Sequence, residues 1–374
     1  MLNKKIGVLG GGQLGKMLIQ KGLSWGLNFS VLDPDISAPC SAFSGFVNGS
    51  ITDFNSVMHF GATCDIITIE IENVNTQALE LLEKQGKEVF PQSSVIRCLQ
   101  DKAVQKKFYF DNHIPTAEYI LTDSLEAVKR NVDFLPAVHK LSKAGYDGRG
   151  VQVLRSSSDL KNAFDKPGYL EKFVDFEKEI SVIVARNKSG EVATFKPVEL
   201  VSHPTANMLE HLYSPARIEE SLSKQSMEIA NTIINKLEMV GVLAVEMFVS
   251  KSGQLLVNES APRPHNSGHQ TIEASMTSQY EQLLRAILNL PLGDTSEICS
   301  SAMINLFGKE GYNGIAKFVG IKEVMSIPGS FLHLYGKKQT KPFRKMGHIT
   351  ILENDLERLK DKLDIVKQNF KIIS

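Results

Sequence analysis

From Val242 to Val249 the chain reads Val-Leu-Ala-Val-Glu-Met-Phe-Val, an apolar run interrupted by a single charge, Glu246. Ser250 to Gly253 supply turn residues, so the run predicts a buried strand that opens a hairpin. A carboxylate inside a buried strand is costly unless it is paired or bound to a cation, and the fold has to bring it a partner. The returning strand, Gln254 to Val257, leads into Asn258-Glu-Ser-Ala-Pro-Arg-Pro-His-Asn-Ser-Gly-His269. If Ser250 pairs with Gly253, Ala244 faces Glu259, and Glu246 becomes its diagonal neighbour on the same sheet face, roughly 7–8 Å away. Two acids so placed, with little basic charge nearby, can share a hard cation such as Mg2+. A one-residue slip would send them to opposite faces, and the alternative reading of Glu246 is a salt-bridged core acid. Pro262 and Pro264 stiffen the following loop. Arg263, His265 and Asn266 project from it, beside an anionic substrate in one reading and into solvent from an ordinary turn in the other.

The 374 residues predict two or three domains. Hydrophobic residues at 42% allow a sizeable core, and 42 Lys+Arg balance 42 Asp+Glu. That balance argues against a partner of nucleic acid or membrane surface. Cys40, Cys64, Cys98 and Cys299 are far apart with no C-x-x-C pair, which predicts reduced thiols in a cytoplasmic protein. No signal peptide is expected at the start, and no apolar stretch is long enough to span a bilayer.

The first stretch predicts a Rossmann-like α/β unit. Lys5 to Leu9 is a strand, Gly10-Gly-Gly-Gln-Leu-Gly15 opens a helix running to Leu23, and Phe29 to Asp33 is a second strand. Gly10, Gly12 and Gly15 match G-x-G-x-x-G, so the backbone can approach a phosphate there; a tight turn without ligand is the alternative. Asp65 to Ile71 is a further strand, setting Glu70 and Glu72 on one face at a carboxyl end where acids meet ligand hydroxyls. Gln100 to Phe110 is a polar helix carrying Lys102. A second unit starts near residue 113. Its strands Pro136 to Leu141, with Lys140, and Val151 to Leu154 flank Ala144-Gly-Tyr-Asp-Gly-Arg-Gly150. This reads as a flap of the kind that covers nucleotide phosphates, or as an ordinary hairpin tip; the Walker A pattern is absent. Tyr169 to Val174 reads as a hinge able to meet an adenine edge, with Glu179 near a ribose. The third unit holds the acid hairpin, helices around 218–240 and 271–289, and a tail from His333 to His348 that sets Lys337, Arg344 and Lys345 around a turn. The expected division is 1–112, 113–185 and 186–374.

Together these motifs resemble the ATP-grasp superfamily and, within it, the 5-(carboxyamino)imidazole ribonucleotide synthases of bacterial purine biosynthesis. Gly10 to Gly15, Glu70-Ile-Glu-Asn-Val74, Gly145-Tyr-Asp-Gly-Arg-Gly150, the stretch Asn258 to His269, and Arg344-Lys-Met-Gly-His348 carry the resemblance over essentially the whole chain, in order. The Pro-Arg-Pro-His-Asn-Ser-Gly-His run is the specific one. The resemblance implies an α/β ATP-grasp fold, a cytoplasmic homodimer, and a ligase. The reaction would carboxylate aminoimidazole ribonucleotide with ATP and bicarbonate, through carboxyphosphate, with Mg2+ or Mn2+. The metal would sit on Glu246 and Glu259. ATP would meet Lys102, Lys140, the flap residues Gly145, Tyr146, Asp147, Gly148, Arg149 and Gly150, then Val151, Glu171, Lys172, Phe173, Val174, Glu179, His203, Asn258 and Glu259. The ribonucleotide or carboxyphosphate would meet Gln13, Leu14, Glu72, Arg263, His265, Asn266, Lys337 and Arg344. Tyr146, Asp147, Arg149, His265 and Lys337 would be the catalytic set. The next pathway enzyme, a mutase, would be a separate chain.

Lys102 departs from the family's usual Arg, keeping the charge and losing the bidentate fork. Ala144, Ser260 and Gln270 depart beside the flap and the signature. Two rival readings remain. One is another ATP-grasp ligase, of the glycinamide ribonucleotide or biotin type, against which the Pro-Arg-Pro-His run argues. The other is a nicotinamide-dependent dehydrogenase using the glycines and Asp33, which leaves the flap, the acid pair and the tail unexplained.

Overall fold

The computed structural model describes residues 3–143, 150–206 and 208–374. Lys5–Leu9 (β1) is almost wholly buried, as a central parallel strand covered on both faces must be. Gln13–Leu23 (α1) follows, then Asn28–Asp33 (β2), Phe46–Asn48 (β3), Phe54–Ala62 (α2), Ile66–Ile69 (β4), Thr76–Lys84 (α3) and Glu88–Val89 (β5). These five strands form a parallel sheet in the order β3-β2-β1-β4-β5. The helix α1 packs on one face with Ile6, Val8 and Phe29, and α2 and α3 on the other with Leu9, Leu32 and Ile67. Ser93–Leu99 (α4) and Lys102–Asp111 (α5) lead out of this unit.

A four-stranded antiparallel sheet comes next. It is built from Tyr119–Thr122 (β6), Ala137–Leu141 (β7), Val151–Leu154 (β8) and Gly168–Lys172 (β9), in the order β6-β9-β7-β8, with Leu125–Arg130 (α6) between its first two strands.

The largest sheet has nine strands. Phe176–Arg186 (β10), Val192–Thr194 (β11), Val198–Ser202 (β12) and Leu209–Ser214 (β13) precede Glu220–Lys236 (α7) and the hairpin Gly241–Ser250 (β14) and Leu255–Ala261 (β15). Thr271–Ala274 (α8), Gln279–Ile287 (α9) and Ser301–Phe307 (β16) follow, then Gly314–Ile315 (β17), Lys317–Val319 (β18), Ile321–Met325 (α10) and Ser330–Leu334 (β19). Gln339–Thr340 (β20), Lys345–Leu352 (β21), Leu356–Asn369 (α11) and Lys371–Ile373 (β22) complete the chain. The order is β15-β14-β10-β12-β13-β16-β21-β19, with β11 attached to β10; β17 pairs with β20 and β18 with β22 outside it. The strand β10, expected to close the second unit, pairs along its length with β14. The helix expected over 271–289 is two helices, because Ser278 accepts from the Glu281 amide and caps a fresh start at α9. No helix among the described residues is long and apolar enough to cross a membrane.

The period of two along β14 sorts its side chains. Leu243, Val245 and Met247 pack against Ile229 and Ile233 of α7, while Val242 and Ala244 pack against Leu283 and Leu284 of α9. The α9 side also takes in Ile6, Val8 and Leu18, so the first sheet and the largest share one core. Glu246 is the next residue on the α9-facing row, where the apolar cluster stops.

A buried ionic cluster ties the helix α5 to the four-stranded sheet. Lys106 of α5 and Lys140 of β7 both salt-bridge Glu171 of β9, the second pair at 2.5 Å, and the three residues are 1%, 7% and 3% exposed. Burial works against the Glu171 charge, yet the two ammonium groups hold its carboxyl below the usual range. Removing the shared anion would leave two buried cations facing each other. Glu171→Gln should therefore cost on the order of 3–5 kcal/mol, as for breaking a buried pair; urea unfolding measures it, and a loss below about 1 kcal/mol would contradict this assignment.

Candidate active site

Two one-residue register shifts in the same direction bring the acids together. Beside the turn Val249 pairs with Leu255, Phe248 with Leu256 and Met247 with Val257, one residue out from the expected register. Continued, this pairing would set Glu246 opposite Asn258 and turn Glu259 to the other face. A bulge at Asn258 adds the second residue, and Glu246 faces Glu259 directly. The pair is thus cross-strand and not diagonal. Ser181 of β10 lies opposite Glu246 on its other side.

The expectation of little basic charge is corrected. Lys102, the first residue of α5, salt-bridges Glu259, and Lys140 donates to Asn258 Oδ1 at 2.8 Å. Burial pushes the Glu259 carboxyl up, but Lys102, Lys140 and His265 outweigh it and hold the group down to about 2. Burial, then the Glu259 and Glu179 carboxylates, push Glu246 well above its ordinary value, and burial followed by Glu259 pushes Glu179 to about 7. One acid is ionised and its neighbours resist ionising beside it. Among the described residues no three His, Cys, Asp or Glu side chains are arranged to hold a metal ion. The directly opposed Glu246 and Glu259 are instead a partial carboxylate donor set of the kind that would fit a small hard cation whose other ligands are phosphate oxygens and water.

The signature loop is held by residues the sequence reading missed. Gln279 Oε1 accepts the His265 amide at 2.9 Å and Gln279 Nε2 donates to the His265 carbonyl at 2.8 Å. Asn305 exchanges two hydrogen bonds with the Asn266 side chain. His265 Nδ1 meets Ser267 Oγ at 2.8 Å, which meets Ser181 Oγ at 2.7 Å, and His265 Nε2 lies 3.7 Å from Glu246 Oε1. Gln279 looks like a solvated residue in a first helical turn; only its complete burial reveals the grip.

The glycine loop does something other than expected. The strand β4 ends at Ile69, so Glu70 and Glu72 lie beyond it and not on one strand face. Glu70 folds onto the loop and accepts the Gly15 amide at 2.9 Å, where a side chain on Gly12 would collide with it. Burial pushes its carboxyl up to about 7. Asp33 accepts Gly11 N–H at 2.6 Å and Asp35 N–H at 2.7 Å, one on each oxygen. The anion position of a dinucleotide fingerprint is filled by the protein's own carboxylate and the ribose acid is already engaged, which removes the dehydrogenase reading. Glu72 turns the other way and ion-pairs with Arg263 Nε at 2.9 Å.

Other expected contacts divide. Lys172 points into the small sheet, donating to the Phe134 carbonyl at 3.1 Å, and the Phe173 amide is used by Pro136. Leu14 is buried in the core beneath α1 while Gln13 starts that helix nearer the surface. His203 packs edge-on against Phe343, beside Arg344. Lys337 Nζ donates to the Lys345 carbonyl at 2.8 Å, Arg344 Nη1 to the Gln339 carbonyl at 2.9 Å, and Lys16 of α1 to the Tyr335 carbonyl at 3.1 Å. Gly145, Tyr146, Asp147, Gly148 and Arg149 lie outside the described residues; Gly150 and Val151 stand where the flap rejoins β8, with the Gly150 carbonyl on the Leu141 amide at 2.9 Å.

Comparison with known proteins matches residues 3–100 to the ribonucleotide synthetase preATP-grasp domain, 107–280 to the ATP-grasp domain and 301–362 to the phosphoribosylaminoimidazole carboxylase C-terminal domain. The N5-carboxyaminoimidazole ribonucleotide synthase of Synechococcus elongatus is 38% identical over 92% of this chain and 89% of its own. The chain belongs to the N5-carboxyaminoimidazole ribonucleotide synthase family. It is therefore an ATP-grasp protein of the ATP-dependent ligases of purine biosynthesis. The crystal structure of the Thermotoga maritima synthetase superimposes with a TM-score of 0.91 at 42% identity, covering 99% of both chains. That of the Aspergillus clavatus synthase in complex with ADP and 5-aminoimidazole ribonucleotide gives 0.88 at 32%, covering 98% of this chain and 99% of that one. The chloroplastic phosphoribosylaminoimidazole carboxylase of Vigna aconitifolia is 39% identical over 96% of this chain, which spans 66% of that longer protein.

Behind the signature loop His269 and His348 are fully buried, with their rings stacked at 4.5 Å. Burial holds both neutral far below the ordinary 6.5, helped by His265, His333, Lys345 and Arg263 around His269 and by His269 and His333 around His348. Unfolded, each recovers ordinary proton affinity, so below about pH 6.5 the unfolded state binds protons the folded state does not. Stability should fall as the pH drops below 6.5, by up to about 1.4 kcal/mol per pH unit for each histidine. Denaturant midpoints at pH 7.5 and 5.5 should show this, with a smaller drop in His348→Phe; an equal drop in the variant would count against the assignment.

Proposed function

We propose that this chain carboxylates 5-aminoimidazole ribonucleotide with bicarbonate at the expense of ATP, giving 5-(carboxyamino)imidazole ribonucleotide, ADP and phosphate. The observation that supports it most is the directly opposed pair Glu246 and Glu259, with Lys102 and Lys140 on it and the Arg263-to-Asn266 loop leading away. The ligands named for the Aspergillus clavatus complex support the same substrates.

In this reading the ATP phosphates lie between Lys140 and the acid pair, and the nucleoside lies toward Glu171, Lys172, Phe173, Val174, Glu179 and His203. A bound Mg2+ or Mn2+ on Glu246 and Glu259 would screen the phosphate oxygens. Bicarbonate attacks the terminal phosphorus and ADP leaves, forming carboxyphosphate. Carboxyphosphate then breaks its C–O bond to give CO2 and phosphate. The exocyclic amine attacks CO2 and loses a proton, giving the carbamate. Lys102 and Lys140 are in place before reaction, so charge that moves during phosphoryl transfer meets fixed cations. Arg263, held by Glu72, and His265, held by Gln279, face the carboxyphosphate. Gln13, Lys337 and Arg344 meet the ribonucleotide, Leu14 through its backbone, and Tyr146, Asp147 and Arg149 of the flap close over the reacting groups.

The same proposal includes a cytoplasmic homodimer, a mutase acting on the product in the next step, and a division of the chain near residues 112 and 175. The second division falls before β10 because that strand hydrogen-bonds into the largest sheet.

ADP release should require both bicarbonate and the ribonucleotide. With 18O-labelled bicarbonate, one label should appear in inorganic phosphate by mass spectrometry; unlabelled phosphate would exclude bicarbonate as the phosphoryl acceptor. Arg344→Ala should raise the KM for the ribonucleotide by roughly 1.5–3 kcal/mol in equivalent free energy, as for a lost charge-assisted hydrogen bond, while the KM for ATP stays near its starting value. A loss confined to ATP would put the tail on the wrong substrate.

A further inference from the structure

His348 stands at the centre of a row that crosses three strands. His333 of β19 pairs with His348 of β21, and His348 pairs with Asn305 of β16. Directly paired residues in antiparallel strands point to the same face, so the three side chains stand next to one another. The signature loop meets this row twice. Asn266 Nδ2 donates to Asn305 Oδ1 at 2.9 Å and Asn305 Nδ2 donates back to Asn266 Oδ1 at 2.7 Å. The same Asn305 amide is braced by the Leu209 carbonyl at 2.9 Å. The His348 ring lies between those of His269 and His333, 4.5 Å from each. Beyond it His333 Nε2 and Glu273 Oε1 are 2.7 Å apart, and His348 Nδ1 shares a hydrogen bond of 3.0 Å with the Tyr335 hydroxyl.

The row also frames the basic tail. His333 lies four positions before Lys337 and His348 four positions after Arg344, so the two histidines clamp the ends of the segment that carries both cations. Loop and tail rest on one set of side chains. Packing alone does not account for the choice of residues. Asn305 and His348 are buried in a sheet face where apolar side chains would suffice, and the Nε2 atoms of His269 and His348 have no hydrogen-bond partner among the described residues. Buried polar atoms left unpaired cost stability.

We propose that the row His333, His348 and Asn305 registers the signature loop against the basic tail, so that Asn266 and His265 meet the same substrate as Lys337 and Arg344. Asn305 and His348 are positioning residues: they act through Asn266, His269 and the tail and touch no substrate. The kinetic side of this proposal rests on the reaction proposed above; the structural side does not.

Two measurements on the full chain test it. Asn305→Leu removes the amide exchange while keeping the branching at Cγ. Hydrogen exchange at the amides of residues 265–269 should speed up, while those of β14 keep their protection. The KM for aminoimidazole ribonucleotide should rise about tenfold or more, as for a lost buried hydrogen bond, with the KM for ATP within about twofold. Asn305→Asp, which keeps an acceptor for Asn266 Nδ2, should recover part of the loss. In an Asn266→Ala background Asn305→Leu should add less than about twofold, because its route to the substrate is already cut. If Asn305→Leu does not fold, His348→Phe, which keeps the stack but loses the bond to Tyr335, and His348→Leu, which loses both, carry the same measurements, both being impaired and the second more strongly. Unchanged exchange in the loop overturns the proposal whatever the substrate is. So does faster exchange with unaltered kinetics, or an undiminished effect of Asn305→Leu in the Asn266→Ala background. A native enzyme that ignores aminoimidazole ribonucleotide would instead sink the proposed reaction, and loop exchange would still decide the row.

Discussion

The carboxylates of Glu246 and Glu259 face each other across a hairpin, and the rest of the structure depends on how their repulsion is managed. Like charges on directly opposed residues destabilise a sheet. This chain meets the difficulty with cations drawn from separate units. Lys102 comes from the helix that leaves the first sheet, and Lys140 from the small antiparallel sheet. The result is asymmetric. Lys102 takes the charge of Glu259, while Glu246 and Glu179 stay reluctant to ionise. A cation arriving with a nucleotide would satisfy both acids at once, and would couple ligand binding to the mutual placement of the units through the same few groups.

Much of this was legible in the residues, and the failures have physical causes. One charge in an apolar strand announced that Glu246 needed a partner, and the period of two selected Glu259. The register did not follow, because a bulge at Asn258 is decided by which ladder hydrogen bonds can close and not by composition. The two shifts, one at the turn and one at the bulge, add to two residues and so leave both acids on one face. Glu70 shows the opposite case. The glycine pattern correctly gave a strand, a tight turn and a helix, but the occupant of the anion position is a side chain 55 residues away, which no local pattern reveals. Gln279 and Asn305 were invisible for a related reason. A polar residue in a first helical turn or a strand is normally solvated, and only tertiary burial turns it into a clamp. The basic neighbours of Glu259 were missed because α5 and β7 are distant in sequence from the hairpin.

The first sheet is more than an attachment. Its core runs without a break into the α9 side of the largest sheet, and Lys16 on its helix donates to carbonyls at Leu334 and Tyr335, where the tail departs. The tail is therefore anchored to the first unit on one side and to the sheet on the other. A substrate held by residues of both would sense their relative placement.

The most direct test of the acid pair as the seat of the nucleotide's cation is electron paramagnetic resonance of Mn2+ titrated into the protein with and without ATP. One nucleotide-dependent Mn2+ site is expected, weakened by about tenfold or more in Glu246→Gln and in Glu259→Gln, as when a charged ligand is lost, with both variants folded. Mn2+ binding that is indifferent to both substitutions would contradict it.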